Sequence, residues 1–141
     1  MQQVRDVMSS NVRTINPETP VPEIARLMRD EDIGAVPVAE DDRLIGMVTD
    51  RDIVIRGLAD GEDVADLSAR DVMSPQLLYC MDDQSVEAVL KNMGEQQVRR
   101  LPVVDRDKRL VGVVSLGDLS GNARPAKAGE ALKEVSKPAS H

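Results

Sequence analysis

The chain has neither phenylalanine nor tryptophan, and Tyr79 is its only aromatic residue, so Val, Leu, Ile, Met and Ala must build the core. Cysteine is as scarce. Cys80 alone rules out an internal disulfide and fits a reducing compartment. The only histidine, His141, is the last residue, so no zinc cluster and no Cys/His dyad assembles within one chain and no metal is expected. No apolar run approaches the roughly 18 residues of a membrane span. The start, Met1 to Asp6, lacks the apolar block of a signal peptide, and a cytoplasmic protein without a membrane segment is expected. Glycine-rich phosphate loops of the Walker type and the dinucleotide glycine fingerprint are both missing. At a net charge of −7 the chain lacks the basic face that nucleic acid requires, although local cations still allow a small anion to bind. The pairs Asp41-Asp42 and Asp82-Asp83 fit solvated turns or caps better than acid/base pairs. With no nucleophile and base in view, an enzyme is not expected.

What the chain does have is repetition. Arg5-Asp6-Val7-Met8-Ser9 recurs as Arg70-Asp71-Val72-Met73-Ser74. The same offset carries Val21 onto Val86, Met28 onto Met93, and Pro37-Val38 onto Pro102-Val103. One extra residue near Arg109 then shifts the frame, so that Gly46, Val48, Thr49 and Asp52 align with Gly112, Val114, Ser115 and Asp118. An insertion in a charged stretch between apolar runs marks a hairpin tip. The 141 residues are thus a tandem duplication. The expected division is a first repeat over residues 1–60, an acidic linker over 61–68, a second repeat over 69–121, and a flexible tail over 122–141. Within that tail, Ala126 to Val135 has the charge spacing of a short helix.

Inside one repeat the periods alternate. Arg13 to Asn16 is a short extended segment closed by Pro17, and Pro20 or Pro22 opens a helix with Val21, Ile24, Ala25, Leu27 and Met28 on one side. Ala35-Val36-Pro37-Val38 and Leu44 to Val48 are apolar runs joined by Glu40 to Arg43, a hairpin pattern. Pro37 cannot donate to a ladder, which places it at a sheet edge or in a bulge. A second helix runs from about Asp50 to Leu58. The order is strand, helix, strand, strand, helix. Neither repeat closes a core alone, so two packed sheets of an α+β protein are expected.

The two Gly-x-x-Thr/Ser-x-x-Asp turns admit two explanations. A hydroxyl at a strand end caps the following helix, and an Asp in its first turn suits the helix dipole. Alternatively the hydroxyl and the carboxylate serve a ligand. Capping explains one such turn, but does not require the same three residue types twice.

These features resemble the tandem CBS-domain, or Bateman, module over nearly all of residues 4 to 121. The resemblance rests on the two Arg-Asp-Val-Met lead-ins, on Ala35-Val36-Pro37-Val38 and Leu101-Pro102-Val103-Val104, and on the two turns. It implies a pseudo-twofold pair of β-α-β-β-α repeats whose clefts bind an adenosine-containing ligand such as AMP, ADP, ATP, NAD or S-adenosylmethionine. No obligatory cofactor is implied. Asp52 and Asp118 would accept from the ribose hydroxyls, and Thr49 and Ser115 would meet phosphate at a helix start. Adenine would slide against backbone near Thr14 or Tyr79, beside Ala35-Val36-Pro37 or Leu101-Pro102. Arg99 and Arg100 are candidates for polyphosphate contacts. Most of the negative charge sits in the first repeat, where Asp50 stands in place of Leu116 and Gly34 and Ala35 in place of Arg99 and Arg100. The second site is therefore favoured for phosphate. The resemblance further implies a homodimer joined through the helices after the turns, with Ile53, Val54, Ile55 and Leu58, or Leu116 and Leu119, as contacts, and an effector protein of unknown identity. A sensor that passes ligand binding to that partner is expected; a ligand-free dimerisation module is the alternative.

Overall fold

The computed structural model describes residues 2–61, 63–74 and 78–137, so that His141 and the end of the expected tail lie outside the described residues. Mixed helices and strands form two compact units of the α+β class, Arg13–Leu77 (the first unit) and Met1–Val12 with Leu78–His141 (the second unit). Among the described residues no helix is long and apolar enough to cross a membrane.

In the first unit, α1 (Val21–Glu31) starts from extended Pro20 with Pro22 in its first turn, where a missing N–H costs nothing. It ends at Asp32, whose left-handed backbone lets Ile33 N–H reach back to the Met28 carbonyl. The hairpin of β1 (Ala35–Glu40) and β2 (Arg43–Thr49) turns on Asp41 and Asp42, both at positive φ. Ala35 lies opposite Thr49 and Pro37 opposite Met47. The short helix α2 (Asp50–Asp52) runs straight into a π-helical turn, Ile53–Leu58. Alternation along β1 sends Val36 and Val38 into a core with Val21, Ile24, Val48 and Val72, while α3 (Ala69–Val72) closes it.

Pro37 does not sit at a sheet edge. Ile15 pairs in parallel with Val38 on the far side of β1, and the irregularity in the hairpin falls just past the proline, between Val38 and Ala39. The Pro37 carbonyl accepts from Ile15 N–H and the Ile15 carbonyl from Ala39 N–H, so the backbone nitrogen of Pro37 also faces the Ile15 segment. Lacking a hydrogen, it ends that ladder and leaves the chain around Thr14 unpaired with β1.

The second unit repeats this plan. It contains β3 (Cys80–Met81), α4 (Val86–Gln96), β4 (Arg100–Val104), β5 (Leu110–Ser115) and α5 (Leu116–Ser120). β3 runs parallel to β4 with Cys80 opposite Val103, and β4 is antiparallel to β5 with Arg100 opposite Ser115. Gln97 ends α4 in the same left-handed conformation as Asp32, and Ser85 caps its start.

The lead-ins do not stay with the repeat that follows them in sequence. Val4 is buried in the core of the second unit, and Ser9 pairs with Val113 on the outer edge of β5. Val72 is buried in the first unit, and Ser74 pairs with Met47 on β2. Each pairing needs a glycine beneath it. A Cβ on Gly46 would stand 3.0 Å from Met73 Sδ and 3.3 Å from the Ser74 carbonyl oxygen; on Gly112 it would stand 2.7 Å from Met8 Sδ and 2.8 Å from the Ser9 carbonyl oxygen.

Residues after Gly121 are not a flexible tail as far as they are described. Pro125–Val135 form α6, which packs on α4 and α5 of the second unit. Arg124 grips Glu87 with two hydrogen bonds of 2.9 and 2.7 Å, which hold the Glu87 carboxyl below its usual range. At the other end Gln97 donates to the carbonyls of Glu134 and Lys137. Gly94 lets the two helices meet closely, since its Cβ would lie 3.0 Å from Glu134 Cβ. Leu116 and Leu119, expected on a contact surface, are instead buried in the second core with Ala131, and Ile53 is buried in the first. Val54, Ile55 and Leu58 remain more than half exposed.

Gly112→Ala is expected to destabilise the protein by about 1–3 kcal/mol, because a backbone oxygen rather than a flexible side chain must give way. Gly46→Ala should cost less, and midpoints of urea unfolding for the two variants check the order. Burial also pushes the Cys80 thiol up from its ordinary 9.0 to about 12. The folded chain therefore keeps a proton that the unfolded chain loses above pH 9, and the stability present below that pH is lost as pH climbs toward 12. The slope is about 1.4 kcal/mol per pH unit in this window. Urea unfolding of wild type and Cys80→Ala at pH 8 to 11 should show the loss only in wild type.

Candidate functional site

The hydroxyl and carboxylate of each turn are joined in a reciprocal cap. Thr49 Oγ1 accepts from Asp52 N–H at 3.0 Å, and Asp52 Oδ2 accepts from Thr49 N–H at 2.9 Å. In the second unit Ser115 Oγ accepts from Asp118 N–H at 3.1 Å and Asp118 Oδ2 from Ser115 N–H at 3.0 Å. The lead-ins make the carboxylate half of this box: Asp6 Oδ2 accepts from Gln3 N–H at 3.0 Å and Asp71 Oδ2 from Ser68 N–H at 2.8 Å. Capping therefore accounts for an Asp three residues into each of these turns. It does not use up the carboxylates. Asp118 Oδ1 has no partner among the described residues, and Asp52 Oδ1 meets only Arg56 Nη1 at 4.0 Å.

The remaining N–H groups differ between the turns. In both, the first helical N–H is taken by the strand opposite: Asp50 N–H by the Gly34 carbonyl at 3.0 Å and Leu116 N–H by the Arg99 carbonyl at 2.7 Å. The next is Arg51 N–H in the first unit, which donates to Asp50 Oδ1 at 2.8 Å. Its counterpart, Gly117 N–H, has no acceptor among the described residues. At the helix starts where phosphate was expected, the cap and the neighbouring backbone thus take the N–H groups and leave one, Gly117 N–H, in the second unit.

Alternation decides which other candidates share a face. Ala35 and Pro37 lie opposite Thr49 and Met47, on the side of the sheet away from the core, and Thr14 precedes core residue Ile15 and so falls on the same side. Arg100 and Pro102 lie likewise opposite Ser115 and Val113, with Tyr79 preceding buried Cys80. Arg99 and Arg100 are exposed, and the backbone bond from Leu116 fixes Arg99 beside the Ser115 turn. Val36 and Leu101 do not join this set, for their side chains are buried in the two cores. An open cleft of 710 Å³ in the first unit takes in Thr14 but lies toward α1 and the hairpin tip, with Arg26, Asp30 and Asp42 on its walls, and holds none of the other candidates.

Sequence reasoning missed the Gly117 N–H and the self-bonded carboxylate of Asp50. The signal was present as Asp50-Arg51 against Leu116-Gly117, but a backbone donor shows itself only once its partners are counted. Among the described residues no three of His, Cys, Asp and Glu converge as a metal site.

The family model of the CBS domain matches residues 4–58 and 69–122. CBS domain-containing protein YhcV of Bacillus subtilis is 41% identical over 137 residues, 96% of this chain and 96% of that protein. Hypoxic response protein 1 of Mycobacterium tuberculosis is 40% identical over 121 residues, 85% of this chain and 84% of that protein. A crystal structure of Hypoxic Response Protein I with two coordinated zinc ions matches at a TM-score of 0.78 and 40% identity, covering 87% of this chain and 100% of that one. The crystal structure of CBSX2 in complex with AMP matches at a TM-score of 0.76 and 27% identity, covering 90% and 99%; CBSX2 is a CBS-pair protein of Arabidopsis thaliana. With both halves of its sequence matched and its two units built on one plan, the chain belongs to the CBS-domain family and carries two CBS domains in tandem.

Proposed function

We propose that this chain is a regulatory CBS pair that binds an adenosine-containing small molecule, with an adenine nucleotide as its regulatory ligand, and signals the binding to a protein partner. One observation supports this above the others. In each unit a carboxylate is locked in place by its own cap while keeping acceptor capacity, on a turn that adjoins the non-core face of the sheet. A ribose presents two adjacent hydroxyl donors, and a fixed carboxylate with a free Oδ1 and a second lone pair on Oδ2 accepts both. Pro37 and Pro102 add the second element. Where proline ends the ladder, the unpaired backbone around Thr14, and by the same register around Tyr79, offers hydrogen bonds to the edge of a flat base. The AMP bound to CBSX2, a relative at 27% identity, is the ligand class that such an arrangement fits. The site residues of this proposal are Thr14, Ala35, Pro37, Thr49 and Asp52 in the first unit, and Tyr79, Arg99, Arg100, Pro102, Ser115 and Asp118 in the second. No catalytic step is assigned to any of them, and the lone buried Cys80 fits a cytoplasmic, reducing setting.

Calorimetric titration with AMP and 2′-deoxy-AMP tests the ribose contact. Wild type is expected to favour AMP by roughly 10- to 150-fold, the worth of one hydrogen bond to a charged group. Asp118→Asn keeps an acceptor for Ser115 N–H, so the fold stands, and it should weaken AMP while narrowing that preference. Equal binding of both ligands by wild type would remove the ribose assignment. No binding of either would leave the ligand-free dimerisation module.

Self-association belongs to the same proposal, now through Val54, Ile55 and Leu58 alone. Sedimentation at micromolar concentration should give a dimer, and Ile55→Glu a monomer. A monomeric wild type would contradict it.

A further inference from the structure

We propose that Arg56 is a positioning residue through which the first unit reports its ligand: it ties the capped carboxylate of Asp52 to the end of α3, so that occupation of Asp52 is felt where Ser74 pairs with β2. This rests on the adenosine-binding proposal above and names the first link of the signal which that proposal requires.

The link starts four residues after the capped carboxylate. Arg56 sits in the π-helical turn that follows α2, and a single π turn within a helix frequently marks a functional position. Its Nη1 donates to the carbonyls of Met73 and Val72 at 3.0 and 3.3 Å. These are the carbonyls at the end of α3, which a helix leaves without partners of its own and which a cation suits. The same Nη1 lies 4.0 Å from Asp52 Oδ1, the oxygen that the cap does not use. At that distance the contact is an attraction of charges and not a hydrogen bond. One nitrogen thus stands between the carboxylate and the α3 carbonyls. Ser74 follows directly, with its N–H on the Met47 carbonyl at 2.9 Å. A ribose hydroxyl that donates to Asp52 Oδ1 spends part of the carboxylate's charge, weakens its pull on Arg56, and shifts the balance toward the carbonyls of Val72 and Met73.

The second unit lacks this link. The register that aligns Asp52 with Asp118 puts Asn122 in the place of Arg56. Asn122 is uncharged, and its Nδ2 donates to the Asp118 carbonyl at 2.9 Å instead of to a lead-in. Among the described residues the carbonyls of Val7 and Met8, the counterparts of Val72 and Met73, accept from no arginine. Ser9 therefore has no means to answer Asp118 as Ser74 answers Asp52.

Adenosine, which carries the ribose and no charge, is titrated into isotope-labelled wild type, Arg56→Met and Arg56→Gln while the backbone amides are followed. In wild type the Asp52 and Ser74 amides should move together and half-saturate at the same concentration, and Ser9 should stay still as Asp118 moves. In Arg56→Met the Asp52 amide should still move and the Ser74 response should be lost. Arg56→Gln keeps a donor for the carbonyls without the charge, should lose the response as well, and serves where Arg56→Met does not fold. A role in stability alone would lower the melting temperature of the variants and leave the Ser74 response intact, which overturns the inference. Asp52 moving in wild type with Ser74 still overturns it too, as does Ser9 following Asp118 as strongly as Ser74 follows Asp52. Movement of Asp118 alone, with Asp52 still, leaves the first unit nothing to report and also overturns it; each of these outcomes leaves adenosine binding itself standing. No movement of either Asp52 or Asp118 overturns the adenosine proposal and this inference together.

Discussion

A carboxylate that closes a helix cap cannot swing to suit a ligand; whatever binds it must come to where the cap has put it. That constraint organises both units. Asp52 and Asp118 each accept from the N–H three residues back and receive in return a hydroxyl on their own N–H, so four atoms hold strand end and helix start together. Removing that cap costs about 1 kcal/mol and frees the side chain. Structure and recognition are therefore not rival roles for these residues. The cap supplies the orientation, and in the proposed function the oxygen it leaves over supplies the contact.

The strands leading into the turn are shaped by two residues that withhold something. Pro37 withholds a donor and stops the parallel ladder at Ile15, which keeps backbone near Thr14 available instead of consumed by the sheet. Gly46 and Gly112 withhold a Cβ, and through that gap Ser74 and Ser9 reach the outer edges of β2 and β5. Each hairpin is thereby bordered on both sides, one neighbour parallel and the other antiparallel. Edge strands that would otherwise invite pairing with another chain are covered.

Much of this was legible in the sequence, since a duplication prints each local decision twice. Both hairpins, the helices opened at Val21 and Val86, and the frame shift near Arg109 follow from periodicity and register alone. The exchanged lead-ins were not legible. Arg5-Asp6-Val7-Met8 and Arg70-Asp71-Val72-Met73 are so alike that nothing local says which unit each joins; the choice is made by long-range packing of Val4 and Val72. The docked α6 was half legible: its charge spacing predicted a helix, but the partners that hold it, Glu87, Gly94 and Gln97, lie on α4 and carry no mark of their role. Missing that docking also misplaced Leu116 and Leu119, which share a core with Ala131 of α6. At the site, donors could not be counted from residue types, and the contrast between Asp50 and Gly117 emerged only from the hydrogen bonds.

The central claim is that a nucleotide settles on the capped turn of the second unit. The most direct measurement is the backbone amide spectrum of isotope-labelled protein as AMP is added. The account predicts concerted movement of the Gly117, Asp118 and Arg100 amides, with the Gly117 proton shifted downfield as it gains an acceptor, and little change at Arg51. Movement of Arg51 equal to that of Gly117, or saturation with AMP while Gly117 and Asp118 stay still, would contradict it.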